Sequence, residues 1–245
     1  LNGGKRLRPL LVYLSAELGS SSPQAQDAVS CAVELIHCYS LIHDDLPSMD
    51  DDSLRRGIPT CHKKYGEAVA ILAGDAIQPL AYHSLTNSKE IKTEHKISLV
   101  SLLAEACGKN GMVEGQILDI SENKSFTLED LDYMHSKKTG SLIKTCLEMG
   151  GLISHLPREE IKLLSEYGEK VGLAFQIRDD IIDLQSPTEI SGKTQGSDLL
   201  QQKITYPNLI GMESSKKRTA ELCEEAQETV RKLSGDSAKL IALSD

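Results

Sequence analysis

At 245 residues with 40% apolar content, the chain is long enough for one large domain or two small ones with a sizeable core. Its net charge of −9 argues against broad binding to nucleic acid or to an anionic membrane. No run of about 18 uncharged apolar residues reads as a membrane-spanning helix, so no integral membrane protein is expected, and neither a GxxxxGK[ST] nor a GxGxxG phosphate loop occurs.

In chain order, apolar residues recur mostly at helical spacing, and the abundance of Leu, Ala, Glu and Lys favours helix. A first helix is predicted to open at Pro9 and stop at Gly19. A second follows Ser22-Pro23 and runs to about Asp45, with Ala28, Ala32, Leu35, Ile36 and Ile42 on a wide apolar face, until Pro47 interrupts it. Residues 50 to 60 read as a polar connection. Further helices are predicted over roughly 66–86, and over 91–120 with a bend at Gly108 to Gly111. Thr127-Leu128-Glu129-Asp130 resembles a capping-type helix start; that helix continues past 150 with a break at Thr139-Gly140. Pro157 opens a long helix that reaches Leu184. Gln185 to Gly196 reads as a mobile loop. Helical pattern resumes at Ser197, with a second start at Pro207 and another segment from about Ser214 to the end. The expectation is a single all-α domain of long helices around a common centre.

Six cysteines form no CxxC pair. Cys31 and Cys38 stand about 10 Å apart along one helix, too far to bridge, so buried, reduced, cytoplasmic thiols are expected. The chain opens at Leu1 in a basic motif, which reads as a trimmed start.

Two aspartate clusters stand out: Asp44-Asp45-Leu46-Pro47-Ser48-Met49-Asp50-Asp51-Asp52 and Asp179-Asp180-Ile181-Ile182-Asp183. Like charges a turn apart destabilise a helix, and the first cluster sits at a helix C-terminus whose dipole is already negative. Hard divalent cations with oxygen ligands explain such crowding. An EF-hand calcium loop does not, because Arg55 stands where that loop needs Gly. A plain acidic turn remains an alternative for the first cluster. In the second, Asp179 and Asp183 share a face while Asp180 points elsewhere; the competing reading is a solvated stripe paired to Arg178 and surface lysines.

Cations accompany the acids. Gly3-Gly4-Lys5-Arg6-Leu7-Arg8-Pro9 combines flexible glycines, basic residues and a helix start, which suits a phosphate cradle as well as a disordered basic tail. Arg55-Arg56-Gly57 follows the first cluster, and lysines recur at Lys137-Lys138-Thr139-Gly140, Gly192-Lys193 and Gln202-Lys203, each alone an ordinary surface lysine. His37 lies within about 20° of Asp44 on one helix face, as a ligand contact or a packing residue. Acidic clusters for metals and basic groups for phosphates together imply a diphosphate bridged to the protein by Mg²⁺.

Three long motifs then stand in order: Gly4-Lys5-Arg6-Leu7-Arg8-Pro9, His37-Cys38-Tyr39-Ser40-Leu41-Ile42-His43-Asp44-Asp45-Leu46-Pro47, and Met49-Asp50-Asp51-Asp52-Ser53-Leu54-Arg55-Arg56-Gly57. Gly111-Met112-Val113, Gly115-Gln116, Lys138-Thr139-Gly140, Phe175-Gln176-Ile177-Arg178-Asp179-Asp180, Gly192-Lys193 and Gly196-Ser197-Asp198 with Lys203 and Thr205-Tyr206-Pro207 continue the series. Over nearly its whole length the chain resembles the trans-isoprenyl diphosphate synthases, the farnesyl/geranylgeranyl diphosphate synthase family, and within it the bacterial farnesyl type.

The resemblance implies an all-α bundle around a deep cavity, of the type I isoprenoid synthase fold. It implies condensation of isopentenyl diphosphate with an allylic diphosphate by ionisation, condensation and elimination, assisted by three Mg²⁺ ions. By motif position, Asp44, Asp50 and Asp179 would be main metal ligands, with Asp45 and Asp183 secondary. Lys5, Arg8, His37 and Arg56 would hold isopentenyl diphosphate; Arg55, Lys138, Lys193 and Lys203 the allylic diphosphate. Thr139 and Gln176 would face the developing cation, and the loop from Gln185 to Gly196 would close over the site. Tyr39, about 7.5 Å back along the helix from Asp44, would stop product growth near fifteen carbons, although Ser40 is closer to Asp44 in azimuth. Geranylgeranyl and geranyl products are the alternatives. A homodimer is expected by family habit.

The family habitually carries several dozen residues before the first Gly-Gly-Lys and a basic C-terminal tail, so the chain reads as shortened at both ends. Glu114 replaces a residue that is often Gly, and Gln185-Ser186-Pro187 replaces a Gly-Asp run. Terpene cyclases, which resemble these enzymes in fold, lack the Lys5–Arg8 site. A non-catalytic regulatory subunit is the rival from a different class, but such subunits tend to lose one aspartate motif. A divalent-metal buffer would not need the basic cradle.

Overall fold

The computed structural model describes residues 3–121, 126–185 and 203–244. Almost all regular structure among them is helical, so the chain is all-α. Helix α1 (Leu7–Ala16) begins two residues before Pro9. The early start is tolerated because the first N–H groups of a helix have no intrahelical acceptor for Pro to forfeit. Helix α2 (Pro23–Asp44) has Pro23 at its first position, and the Ser22 hydroxyl accepts the Ala25 N–H at 3.2 Å. Two short strands, β1 (Leu54–Arg55) and β2 (Ile58–Pro59), pair antiparallel within the polar connection. Their two-residue turn is Arg56-Gly57, with φ of 54° and 75°, as a type I′ hairpin turn requires.

Helix α3 (Cys61–Tyr65) leads into α4 (Glu67–Asn87), which carries Pro79 in its interior. The expected bent helix over 91–120 is two helices, α5 (Thr93–Cys107) and α6 (Met112–Asp119), separated at Gly108–Gly111. Helix α7 (Leu128–His135) starts at a reciprocal cap: the Thr127 hydroxyl accepts the Asp130 N–H at 3.2 Å, and the Asp130 carboxylate accepts the Thr127 N–H at 2.9 Å. The expected break at Thr139-Gly140 is a single π-helical turn, Ser136–Gly140, after which α8 (Ser141–Ile153) continues. Then come α9 (Arg158–Gln185), α10 (Tyr206–Ile210), α11 (Met212–Val230) and α12 (Ala238–Leu243). The loop expected before Gly196 and the helix start at Ser197 lie outside the described residues.

Helix α9, about 42 Å long, passes through both hydrophobic cores. Leu164, Tyr167 and Val171 join the larger one, built with α1, α2, α4, α5 and α8. Ala174, Ile177 and Ile181 join a smaller one with Leu131, Met134, Tyr206 and Leu222. The Tyr167 hydroxyl donates to the Leu240 carbonyl at 2.7 Å and ties α12 to α9. Where the π turn meets its neighbours there is no room for side chains. A Cβ on Gly115 of α6 would stand 2.1 Å from the Lys138 nitrogen, and one on Gly172 of α9 would stand 2.9 Å from the Gly140 Cα. All six cysteines are free, but they are not uniformly buried: Cys31 is exposed, and Cys61 and Cys223 are half-buried.

Candidate active site

The first aspartate cluster begins where α2 ends. Asp44 accepts from the Gln116 amide of α6 at 2.5 Å and lies 3.8 Å from the Lys138 ammonium. Asp45 is buried and held by the Arg55 guanidinium, whose Nε donates at 2.7 Å. Arg55 also pairs with Asp52 at 3.3 Å. Asp50 accepts from Lys203 at 2.9 Å through both oxygens, and Lys203 lies 3.4 Å from Asp119. Asp119, in the last turn of α6, also accepts from Lys138 at 2.5 Å. Burial pushes the Asp119 carboxyl up, but Lys138 and Lys203 outweigh it and hold the group below the usual range.

The second cluster divides as its helical spacing requires. Asp179 is exposed and Asp183 is half-buried one turn on. Asp180 points inward, where it is buried and accepts from the Tyr206 backbone N–H at 3.0 Å and the Gln176 amide at 3.2 Å. The Gln176 carbonyl oxygen in turn accepts from the Thr139 hydroxyl at 3.0 Å. Two bridges therefore join the clusters. One runs from α9 through Gln176 to the π turn with Lys138 and Thr139. The other runs through Tyr206 to Lys203 and Asp50.

The basic cradle is assembled around His37. The Arg8 and His37 side chains meet at 3.3 Å, and the buried Arg8 Nε has no hydrogen-bond partner among the described residues. Burial lowers the Arg8 guanidinium. Burial first, then Arg8, Arg56, Arg55 and Arg6, pushes His37 down to about 2, so the imidazole is neutral. Arg56 donates to the Gly3 carbonyl at 2.9 Å; the left-handed turn at Gly4 (φ 92°) is where a Cβ would strike that guanidinium at 2.4 Å. Arg6 pairs with Glu34, and Lys5 is exposed. An orphaned buried donor beside a neutral imidazole, ringed by guanidiniums, is the electrostatic mould of an anion.

A family model described as polyprenyl synthetase matches residues 1–242. The chain belongs to the polyprenyl synthetase family. It is 46% identical to the farnesyl diphosphate synthase of Escherichia coli, over 100% of this chain and 84% of that one. It is 43% identical to the chloroplastic geranylgeranyl pyrophosphate synthase of Capsicum annuum, over 100% of this chain and 68% of that one. Among solved structures, the Helicobacter pylori geranyltransferase complexed with magnesium and isoprenyl diphosphate superimposes with a TM-score of 0.89 at 36% identity, covering 100% of this chain and 82% of that one.

Among the described residues, no three His, Cys, Asp or Glu side chains converge into a metal cage. The donor chemistry nevertheless fits Mg²⁺. That ion is held by one or two carboxylates and completed by substrate phosphates and water, not by an all-protein cage. The ammonium groups of Lys138 and Lys203 lie against Asp44 and Asp50, where a metal cation would bring charge of the same sign.

The structure thus brings Asp44, Asp50, Lys138, Lys203, Thr139 and Gln176 together, and Arg8, His37 and Arg56 beside them. Lys193 lies outside the described residues. Arg55, expected on the allylic diphosphate, is engaged by Asp45 and Asp52. Sequence reading gave no role to Asp119 or Gln116. A carboxylate three residues after a glutamine, on a helix otherwise bearing Met112, Val113, Ile117 and Leu118, was the available signal. It also missed His135, buried against Asp180 at 3.9 Å and stacked on Tyr206.

Proposed function

We propose that the chain is a farnesyl diphosphate synthase, which condenses isopentenyl diphosphate with dimethylallyl and then geranyl diphosphate. The observation that carries this reading is the junction of the two acidic clusters: Asp180 is tied through Gln176 to Thr139 of the π turn and to the Tyr206 N–H, while Lys138 and Lys203 lie against Asp44 and Asp50, with the cradle of Arg8 and His37 alongside.

Asp44, Asp50 and Asp179 would hold Mg²⁺, three ions in all, with Asp45 and Asp183 in outer positions. Bound there, the ions supply Lewis acidity to the leaving diphosphate. Lys138, Lys203 and Arg55 add positive charge beside these carboxylates, and Lys193 is assigned to the same diphosphate by its motif alone. Asp45 is engaged by Arg55, so its contribution is to orient that guanidinium. Arg8, Lys5 and Arg56 bind the second diphosphate, and neutral His37 donates a hydrogen bond to it without adding charge. Asp180 accepts from the Gln176 amide nitrogen, which turns the amide oxygen toward Thr139. The carbonyl of Gln176 and the hydroxyl oxygen of Thr139 then present negative dipole to an allylic cation. Tyr39 closes the hydrocarbon end beyond Asp44.

A homodimer belongs to the same proposal, supported by exposed apolar residues on the neighbouring helices α4, α5 and α6: Leu72 (66% exposed), Ile97 (74%) and Ile117 (60%). A cytoplasmic setting is supported by the six free thiols.

The test is incubation with isopentenyl diphosphate, Mg²⁺ and either dimethylallyl or geranyl diphosphate, with products resolved by chain length. Farnesyl diphosphate is expected from both primers, with loss of turnover on chelation. A twenty-carbon product would favour the geranylgeranyl reading that the Capsicum relative keeps open. No turnover would favour the regulatory-subunit reading.

A further inference from the structure

Helices α2 and α4 run antiparallel in close contact, and three contacts fix their register. The His43 ring lies 3.0 Å from the Ile71 carbonyl, and a Cβ on Gly74 would meet that ring at 2.0 Å. One turn further from Asp44, the Gln78 side chain lies near enough to the Tyr39 hydroxyl to favour its ionised form. Nearer the start of α2, the Ser84 hydroxyl donates to the Ala28 carbonyl at 3.1 Å. Residue numbers on α4 therefore rise as the chain descends from Asp44 toward the start of α2. Tyr82, four residues past Gln78, lies about 6 Å beneath Tyr39.

At that depth Tyr82 reaches across to α5. Its hydroxyl meets the Cys107 sulfur at 3.0 Å, and the buried thiol in turn approaches the Ala104 carbonyl at 3.8 Å. Cys107 stands near both phenols: after burial it is the next influence raising Tyr39, to about 12, and it also raises Tyr82. Below the pair lie Leu85, Leu99 and Leu103, all fully buried and apolar. A ring anchored at its far end to a neighbouring helix has lost its rotamer freedom, so it blocks a hydrocarbon more firmly than a ring free to swing aside.

We propose that the Tyr82–Cys107 bridge is a second floor of the hydrocarbon channel, one helical turn below Tyr39, and that it sets the product ceiling once Tyr39 is removed. The proposal rests on the prenyl-transfer reading of the site. It assigns chain-length control to α4 and α5 as well as to α2. The added depth of about 6 Å accommodates about one further five-carbon unit.

The experiment compares the parent chain with Tyr39→Ala, Tyr82→Ala, Tyr39→Ala/Tyr82→Ala and the core-filling Tyr39→Ala/Tyr82→Leu. Each is given excess isopentenyl diphosphate and a geranyl primer to exhaustion, and its products are sized. Tyr39→Ala is expected to shift the main product from fifteen to twenty carbons. Tyr82→Ala alone should stay at fifteen, because Tyr39 still stops growth above it. Both double variants should raise the share of products of twenty-five carbons or more by about tenfold over Tyr39→Ala; the Leu variant keeps the test intact if the larger truncation unfolds the chain. Equal product lengths from Tyr39→Ala and a folded double variant, or lengthening by Tyr82→Ala alone, would overturn the second floor and leave the proposed function standing. Failure of the parent chain to make any prenyl product would overturn the reading on which both rest.

Discussion

A single helix position carries two opposite requirements at His37. In the proposed function it faces a diphosphate, for which a charged imidazole would suit, yet it is half-buried beside Arg8 and within the fields of three more arginines. Desolvation and like charge both disfavour the cation, so the group is held neutral down to about pH 2. The consequence for stability follows from linkage. The unfolded chain takes up a proton below about pH 6.5 that the folded chain refuses until about 2. Stability is therefore full above the unfolded value and is lost as pH falls toward the folded one. His37→Gln should flatten this acid loss by up to about 1.4 kcal/mol per pH unit, measured by urea unfolding between about pH 6.5 and about pH 4.5, inside that window. An unchanged pH slope would contradict the neutral imidazole. Position 37 was legible from the sequence as a helix face shared with Asp44; its charge state was not, because that depends first on burial and then on Arg8, 29 residues away in sequence.

The π turn at Ser136–Gly140 is the element on which the site depends most. One extra residue in the turn widens the helix and offsets the side chains after it. Here it sets Lys138 against Asp119 and Thr139 against Gln176. Gly115 and Gly172 supply the clearance on either side. Gly115→Ala should drive the π turn away from α6, lower kcat by about tenfold or more, and destabilise by about 1–3 kcal/mol, while far-UV circular dichroism keeps its helical amplitude. Full activity in that variant would show that the turn tolerates displacement. A break at Thr139-Gly140 was readable from residue types. That it is a π turn was not, since helical periodicity looks alike on both sides of it and the clearance comes from two other helices. The same division holds for α5 and α6, read as one bent helix but separated at Gly108–Gly111.

At the scale of the whole molecule, two features need explanation together: helices that are apolar on exposed faces, and an active site built from distant segments. Leu72, Ile97 and Ile117 are exposed on α4, α5 and α6, as the interface of the proposed dimer would leave them in a single chain. Leu72→Glu with Ile117→Glu should convert a dimer to a monomer in analytical ultracentrifugation; a parent chain that sediments as a monomer would remove the dimer from the proposal. The all-α architecture, the two acidic clusters and the Gly-Lys-Arg cradle were determined by the sequence itself. Helical period, capping residues and charge crowding are local properties, and local properties are written in consecutive residues. Tertiary structure alone decided which carboxylates share a cation. Asp180 turned inward to a backbone N–H on α10, Asp119 became the carboxylate between two lysines, and Lys203 reached Asp50 across 153 residues. Those pairings arise from α9 carrying both cores and bringing the far half of the chain back to the end of α2, and no spacing within one helix encodes where another helix will cross it.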